Sequence, residues 1–242
     1  MKLEKKRTND LMNLLPDIQG NALDIGARDG HFSRLLAEKF HSVTALDLEK
    51  PAITHERINC VKGDITELDF DDGTFDIVFC VEVLEHIPAE RLAIACRELS
   101  RISKSYLLIG VPYKQDLRVG RTTCSKCGSK NPPWGHINTF GENRLKQLFS
   151  VPDFKIEKLS FVGSVNLGTN PISTFLMDLA GNPYGTYNQE EPCVYYGGPL
   201  GKPIIRNLPM KVYTRLAIYL NKLQKPFLKT KPNWIHILFK KS

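Results

Sequence analysis

An α/β fold built on a seven-stranded, mostly parallel sheet, with helices on both faces and an insertion before the last strand, is predicted by three observations. Short apolar runs alternate with stretches of helical periodicity from the N-terminus to about residue 112. One of those runs, TFDIVFCVE, is apolar nearly throughout, as a strand covered on both faces must be. From Ser164 to Pro232 the alternation stops, and it resumes only in the closing run NWIHILFKK.

The elements follow in order. The segment up to Leu15 has amphipathic helical spacing and ends at Pro16. NALDIGARDG is a short strand stopping in a glycine turn, and HFSRLLAEKF continues as a helix through Phe32, Leu35, Leu36 and Phe40. SVTALD, INCVKGD and TFDIVFCVE are the next three strands, RLAIACRELSRI a helix, and SYLLIGVP a fifth strand. Then come a helix in GENRLKQLF, a strand in FKIEKLSFVG and the last strand, NWIHILFKK. This organisation predicts a core of residues 1–163 and 233–242 and an insertion over 164–232, rich in Gly, Pro, Asn and Tyr at first and basic and helical later.

With 242 residues, 42% of them hydrophobic, the chain can bury one core of ordinary size. It has neither the run of roughly 18 to 20 apolar residues of a membrane-spanning helix nor the apolar stretch of a secretory signal, so a cytoplasmic location is expected. Six cysteines in a reducing compartment do not predict a disulfide framework; Cys60, Cys80 and Cys96 lie in apolar runs and read as buried small side chains. The net charge of +7 is uneven: Lys202 to Lys241 carries ten Lys or Arg and no acidic residue, which leaves the remainder slightly acidic.

Ligands of open parallel sheets bind beyond the carboxyl ends of the strands, and here those ends are acidic: Asp24, Asp47, Asp64 and Glu82. Gly26 and Gly30 follow the first strand without forming GxGxxG, and so many carboxylates make a poor phosphate cradle. They suit a ligand with a cationic centre, an ammonium group and a diol. Asp47 can accept from both hydroxyls of a ribose, Gly26 lets the backbone approach closely, and Asp64 can accept from an adenine amino group.

In this order and spacing, LDIGARDG, ALDLE, VKGDI and FDIVFCVEVLEHIP resemble the class I S-adenosylmethionine-dependent methyltransferases, in particular the small-molecule group that includes the type 11 family, over about residues 20 to 112. The resemblance implies a Rossmann-like fold and S-adenosyl-L-methionine as cofactor. It implies that Asp24, Gly26 and Gly30 bound the methionine part, that Asp47 with Leu48 holds the ribose, that Asp64 and Ile65 take the adenine, and that Glu82 lies near the sulfonium end. The family's second glycine is replaced here by Ala27 or Arg28. A hydroxyl acceptor would need a base, for which His86 in VLEHIP is one candidate and His136 another; a helix-start histidine bonded to local backbone is the plainer reading of His86.

The stretch CSKCGSKNPPWGHIN holds two further motifs. Asn131 to Trp134 resembles the tetrad of amino-methyltransferases, but it follows the fifth strand, where two prolines and a glycine read as a tight loop. Cys124 and Cys127, followed by Gly128, have the spacing of a zinc knuckle, and His136 and Cys193 are the candidates for its third and fourth ligands; free surface cysteines are the alternative. In KVYTRLAIYLNKLQKPF, Val212, Leu216, Leu220, Leu223 and Phe227 keep helical spacing beside Lys211, Arg215 and Lys222. This is either a core-packed helix with a solvated basic side or a peripheral contact with an anionic membrane surface or lipid-linked substrate. The acidic balance of residues 1–201 argues against nucleic acid.

The function expected is therefore methyl transfer to the oxygen of a small molecule or of a glycan or lipid-linked acceptor. The alternatives are a silent S-adenosyl-binding interaction protein and a nucleic-acid methyltransferase.

Overall fold

The computed structural model describes residues 2–149, 154–202 and 207–242. Met1 and residues 150–153 of the expected core, and residues 203–206 of the basic segment, lie outside the described residues. The chain forms two compact units: residues 1–113, 140–163 and 232–242, and residues 114–139 with 164–231.

The first unit holds the strands β1 (Asn21–Ile25), β2 (Ser42–Asp47), β3 (Ile58–Lys62), β4 (Phe75–Val81), β5 (Ser103–Pro112), β6 (Phe154–Val162) and β7 (Trp234–Lys241). They form one sheet in the order β3-β2-β1-β4-β5-β7-β6. The first five pair in parallel, and β7 runs antiparallel to both β5 and β6. Its helices are α1 (Lys2–Leu14), α2 (His31–Ala37), α3 (Ala89–Ile102) and α4 (Glu142–Phe149).

Alternation along the strands builds two cores, because successive side chains leave a strand on opposite faces. Leu107, Ile109 and Val111 join Leu99 of α3 and Phe149 of α4 in one, whereas Leu108 joins Leu11 of α1 and Leu36 of α2 in the other. β4 lies mid-sheet and is buried almost throughout, as its apolar run predicted. β6 is an edge strand whose Lys155, Glu157 and Lys158 are not buried, which discourages pairing with another chain.

In the second unit, Thr122–Thr123 pairs with Lys130–Asn131 as a short antiparallel ribbon, and two helices follow: α5 (Pro171–Leu179) and α6 (Leu208–Gln224). The division differs from the expected one, since residues 114–139 cluster with 164–231. The reason is polar and non-local. Arg121 pairs with Asp178, the Thr186 N–H donates to the Gly120 carbonyl, and Asn131 Oδ1 accepts from the Val194 N–H.

α5 was not predicted. It starts where Asn170 Oδ1 accepts from the Ser173 N–H at 2.8 Å, with Pro171 at the first turn. On α6 the core-packed reading needs correction: Val212, Leu216 and Leu223, with Phe227 in the turn that follows, are exposed, and the helix's buried positions are the small Thr214 and Ala217.

Candidate functional site

β1 ends at the centre of the sheet, between β2 and β4, and the chain turns sharply there. The N–H groups of Gly26 and Ala27 both donate to the Leu46 carbonyl, at 2.8 and 3.1 Å. Gly26, Arg28 and Gly30 all have positive φ, at 76, 45 and 79°. A Cβ on Gly26 would stand 2.5 Å from Val83 Cγ2, so the loops after β1 and β4 approach as closely as only glycine permits.

Asp24 does not face outward. It is 3% exposed, and its Oδ2 accepts from Ser33 Oγ at 2.5 Å, tying α2 to β1 beneath the turn. Burial pushes its carboxyl up to about 7 against the opposing effect of the Ser33 hydrogen bond. Asp47 receives the Arg28 N–H on Oδ2 at 2.9 Å and the Leu48 N–H on Oδ1 at 2.7 Å. An ionised carboxylate has about four acceptor positions, so about two remain for a diol. Leu48 is exposed beside it.

After β3, Asp64 Oδ1 accepts from the N–H and hydroxyl of Thr66, and Oδ2 pairs with Arg91 at 3.2 Å. Burial acts to raise this carboxyl, but the Thr66 and Arg91 contacts outweigh it and hold the group below its ordinary range. Its remaining acceptor capacity is small. Ile65 is buried.

After β4, Glu82 takes a φ of 58° while its N–H donates to the Gly110 carbonyl. Its carboxylate meets Arg7 of α1 at 3.1 Å, and one oxygen has no hydrogen-bond partner among the described residues. Burial pushes Glu82 up to about 7 despite Arg7. Glu85 is fully buried with neither oxygen partnered among the described residues. Burial first, and the charge of Glu82 second, push it well above its ordinary carboxylate value. A ligand atom of His86 lies within 4.8 Å of one of Glu85, and the His86 N–H closes a 3-10 turn onto the Val83 carbonyl. Sequence reasoning missed Arg7 and Glu85. The only signal for Glu85 was its place within VLEHIP.

This arrangement fits the implied cofactor. A glycine-only approach stands beside Asp47, which keeps acceptor capacity for hydroxyls, and at the end of β4 Glu82 has a buried carboxylate oxygen with no partner among the described residues.

In the second unit, His136 is buried with Nδ1 2.6 Å from Gln115 Oε1. The sulfurs of Cys124, Cys127 and Cys193 lie within 4.8 Å of one another, and His136 is not in that group. Trp134 of the prolyl tetrad is 47% exposed, and its N–H donates to Gln189 Oε1.

Residues 23–107 match the family model described as a methyltransferase domain. The chain is 30% identical over 116 residues to the ubiquinone biosynthesis O-methyltransferase of Alkalilimnicola ehrlichii, covering 38% of this chain and 47% of that one. It is 40% identical over 93 residues to the malonyl-[acyl-carrier protein] O-methyltransferase of Erwinia pyrifoliae, covering 35% of each. The chain thus spans less than half the length of these relatives. The structure of an S-adenosylmethionine-dependent methyltransferase from Archaeoglobus fulgidus superposes with a TM-score of 0.57 at 17% identity, over 99% of this chain and 94% of that one, a likeness of fold. Over residues 23–107 the chain is thus similar to the type 11 methyltransferase domain, and its fold is like that of the S-adenosylmethionine-dependent methyltransferases.

Proposed function

We propose that the protein methylates an oxygen of a small molecule or of a glycan or lipid-linked acceptor. The observation that carries this reading is the first unit's row of strand-end groups: the Gly26 turn against Val83, Asp47 with acceptor capacity to spare, and Glu82 beyond β4. S-adenosylmethionine, when bound, supplies an electrophilic methyl on a sulfonium. The residues that would hold it are Asp47 at the ribose, Asp64 and Ile65 at the adenine, and the Gly26–Gly30 turn with Glu82 around the methionine part. Asp24 acts from below by fixing the turn through Ser33.

The remaining task is to align the acceptor oxygen, remove its proton and keep water out. His86 is the base the first unit offers, with the buried Glu85 beside it, and His136 is the candidate in the second. The curated relatives, named as O-methyltransferases of ubiquinone biosynthesis and of malonyl-acyl-carrier protein, support oxygen as the acceptor atom.

A lipid-linked acceptor at an anionic membrane surface is the finer reading, favoured by α6. Its exposed Leu208, Val212, Leu216, Tyr219 and Leu223 recur every three or four residues beside Lys211, Arg215 and Lys222. No helix among the described residues is long and apolar enough to cross a membrane, so such contact would be peripheral.

The test is transfer of a labelled methyl group from S-adenosylmethionine to quinol, acyl-carrier and glycan acceptors. Incorporation that is lost in His86→Asn with cofactor affinity intact supports the reading and the base. Tight cofactor binding with no transfer to any fraction of a cell extract favours a silent binder. Liposome binding that does not change when Lys211, Arg215 and Lys222 are neutralised removes the membrane component.

A further inference from the structure

Among its described residues the second unit buries no Leu, Ile, Val, Phe, Met, Trp or Tyr side chain. Besides Pro133 and Pro183, its buried apolar side chains are Ala180, Ala217, Cys124 and Cys193. Small bodies that lack a packed core are held by staples, commonly disulfides or a metal. Two of these few side chains are thiols, and each sits on a turn of the same construction.

In CSKCGS, the Cys124 N–H donates to the Ser129 carbonyl at 3.0 Å and the Gly128 N–H to the Cys124 carbonyl at 2.9 Å. In CVYYGG, the Cys193 N–H donates to the Gly198 carbonyl at 2.8 Å and the Gly197 N–H to the Cys193 carbonyl at 2.7 Å. Gly128 and Gly197 hold the same place in the two turns, with φ of 73 and 76°. Asn131 clamps the pair: its Oδ1 accepts from the Val194 N–H at 2.9 Å, and its Nδ2 donates to the Ser129 carbonyl at 3.3 Å. The asparagine of the tetrad thus has a structural task in the loop where it lies.

The Cys127 and Cys193 sulfurs are 3.7 Å apart. A disulfide needs about 2.05 Å. Thiolates about 2.3 Å from a tetrahedral zinc stand about 3.8 Å from each other. The second turn lacks the second thiol: where the first carries Cys127, it carries Tyr196, whose ring lies over Gly198. No further His, Cys, Asp or Glu joins the sulfur group among the described residues, and Cys127 is exposed to solvent.

We propose that Cys124, Cys127 and Cys193 form a three-thiolate zinc site whose fourth position is open to an exogenous ligand. Soft sulfur donors select zinc over calcium or magnesium. Binding displaces the thiol protons, and the metal ties residues 124–127 to residue 193 across a chain separation that the unit's few buried apolar groups do little to hold.

Native mass spectrometry of the full chain, purified without chelator and then supplied with zinc and desalted, should show one zinc per chain. Cys127→Ser and Cys193→Ser should each lose it. In cobalt-substituted protein the thiolate charge-transfer absorption should fall with each cysteine removed, and added imidazole should shift the ligand-field bands. Tyr196→Cys, at an exposed position, completes the second knuckle. It should tighten zinc by about tenfold or more and abolish the imidazole shift. A wild-type chain that stays metal-free in zinc, or one that holds a Cys127–Cys193 disulfide instead, overturns the site. Zinc retained by both serine variants overturns the ligand set, and cobalt bands indifferent to imidazole overturn the open position.

Discussion

The two units of this chain are built on opposite economies. In the first, helices close both faces of a sheet whose inner strands are largely buried, with Phe79, Phe149 and Phe239 in its cores. In the second, Phe175, Leu208, Leu216, Tyr219 and Phe227 face solvent, and order comes from Arg121 with Asp178, Arg118 with Asp116, and the Asn170 and Asn207 caps. The difference teaches that hydrophobic burial can specify one body of a chain while polar ties organise another.

Truncating a core side chain should give the sharpest contrast. Phe239→Ala is expected to cost about 3–5 kcal/mol in denaturant unfolding, through lost burial and the cavity left behind. A cost below about 1 kcal/mol would mean that the first unit is not the tightly packed body described.

Next comes pH. Unfolded Asp24 loses its proton near 3.8 and folded Asp24 near 7, so in that window the unfolded chain binds fewer protons and stability falls as pH rises. Asp24→Asn keeps an acceptor for Ser33 and should flatten this decline, gaining up to about 4 kcal/mol near pH 8 and little near pH 4. Parallel pH profiles for the two proteins would remove Asp24 as the cause.

Asp47→Ala should lower the affinity for S-adenosylhomocysteine about 10- to 100-fold by calorimetry, the value of one or two charge-assisted hydrogen bonds, with thermal stability little changed. Unchanged affinity would detach Asp47 from the ribose. The smallest effect belongs to the second unit: Leu216→Ala on the exposed face of α6 should alter stability by no more than about 0.5 kcal/mol. A cost comparable with that of Phe239→Ala would erase the contrast between the units.

These two logics also account for what could be read from the chain alone. The seven strands and the carboxylates at their ends were legible because burial on two faces writes a continuous apolar run into the sequence, as in TFDIVFCVE. Arg7 was not, since on a charged amphipathic helix nothing marks which cation turns toward Glu82. Nor was the grouping of residues 114–139 with 164–231, which depends on single polar bonds between distant segments. The CxxC spacing marked two thiols that share one turn, and the Cys193 sulfur lies near both. The set also named His136, which nearness in sequence suggested and the folded chain leaves on Gln115.

The position of β7 has a consequence for how the sheet assembles. β7 pairs with β5 on one side and β6 on the other, yet it follows both in the chain, with residues 164–231 made in between. During synthesis β5 therefore waits with an open edge, and β6 has no neighbour until the last strand emerges. A wedge that arrives late makes long-range pairing the slow step, so folding intermediates should expose the hydrophobic edge of β5 and be the species most prone to aggregate.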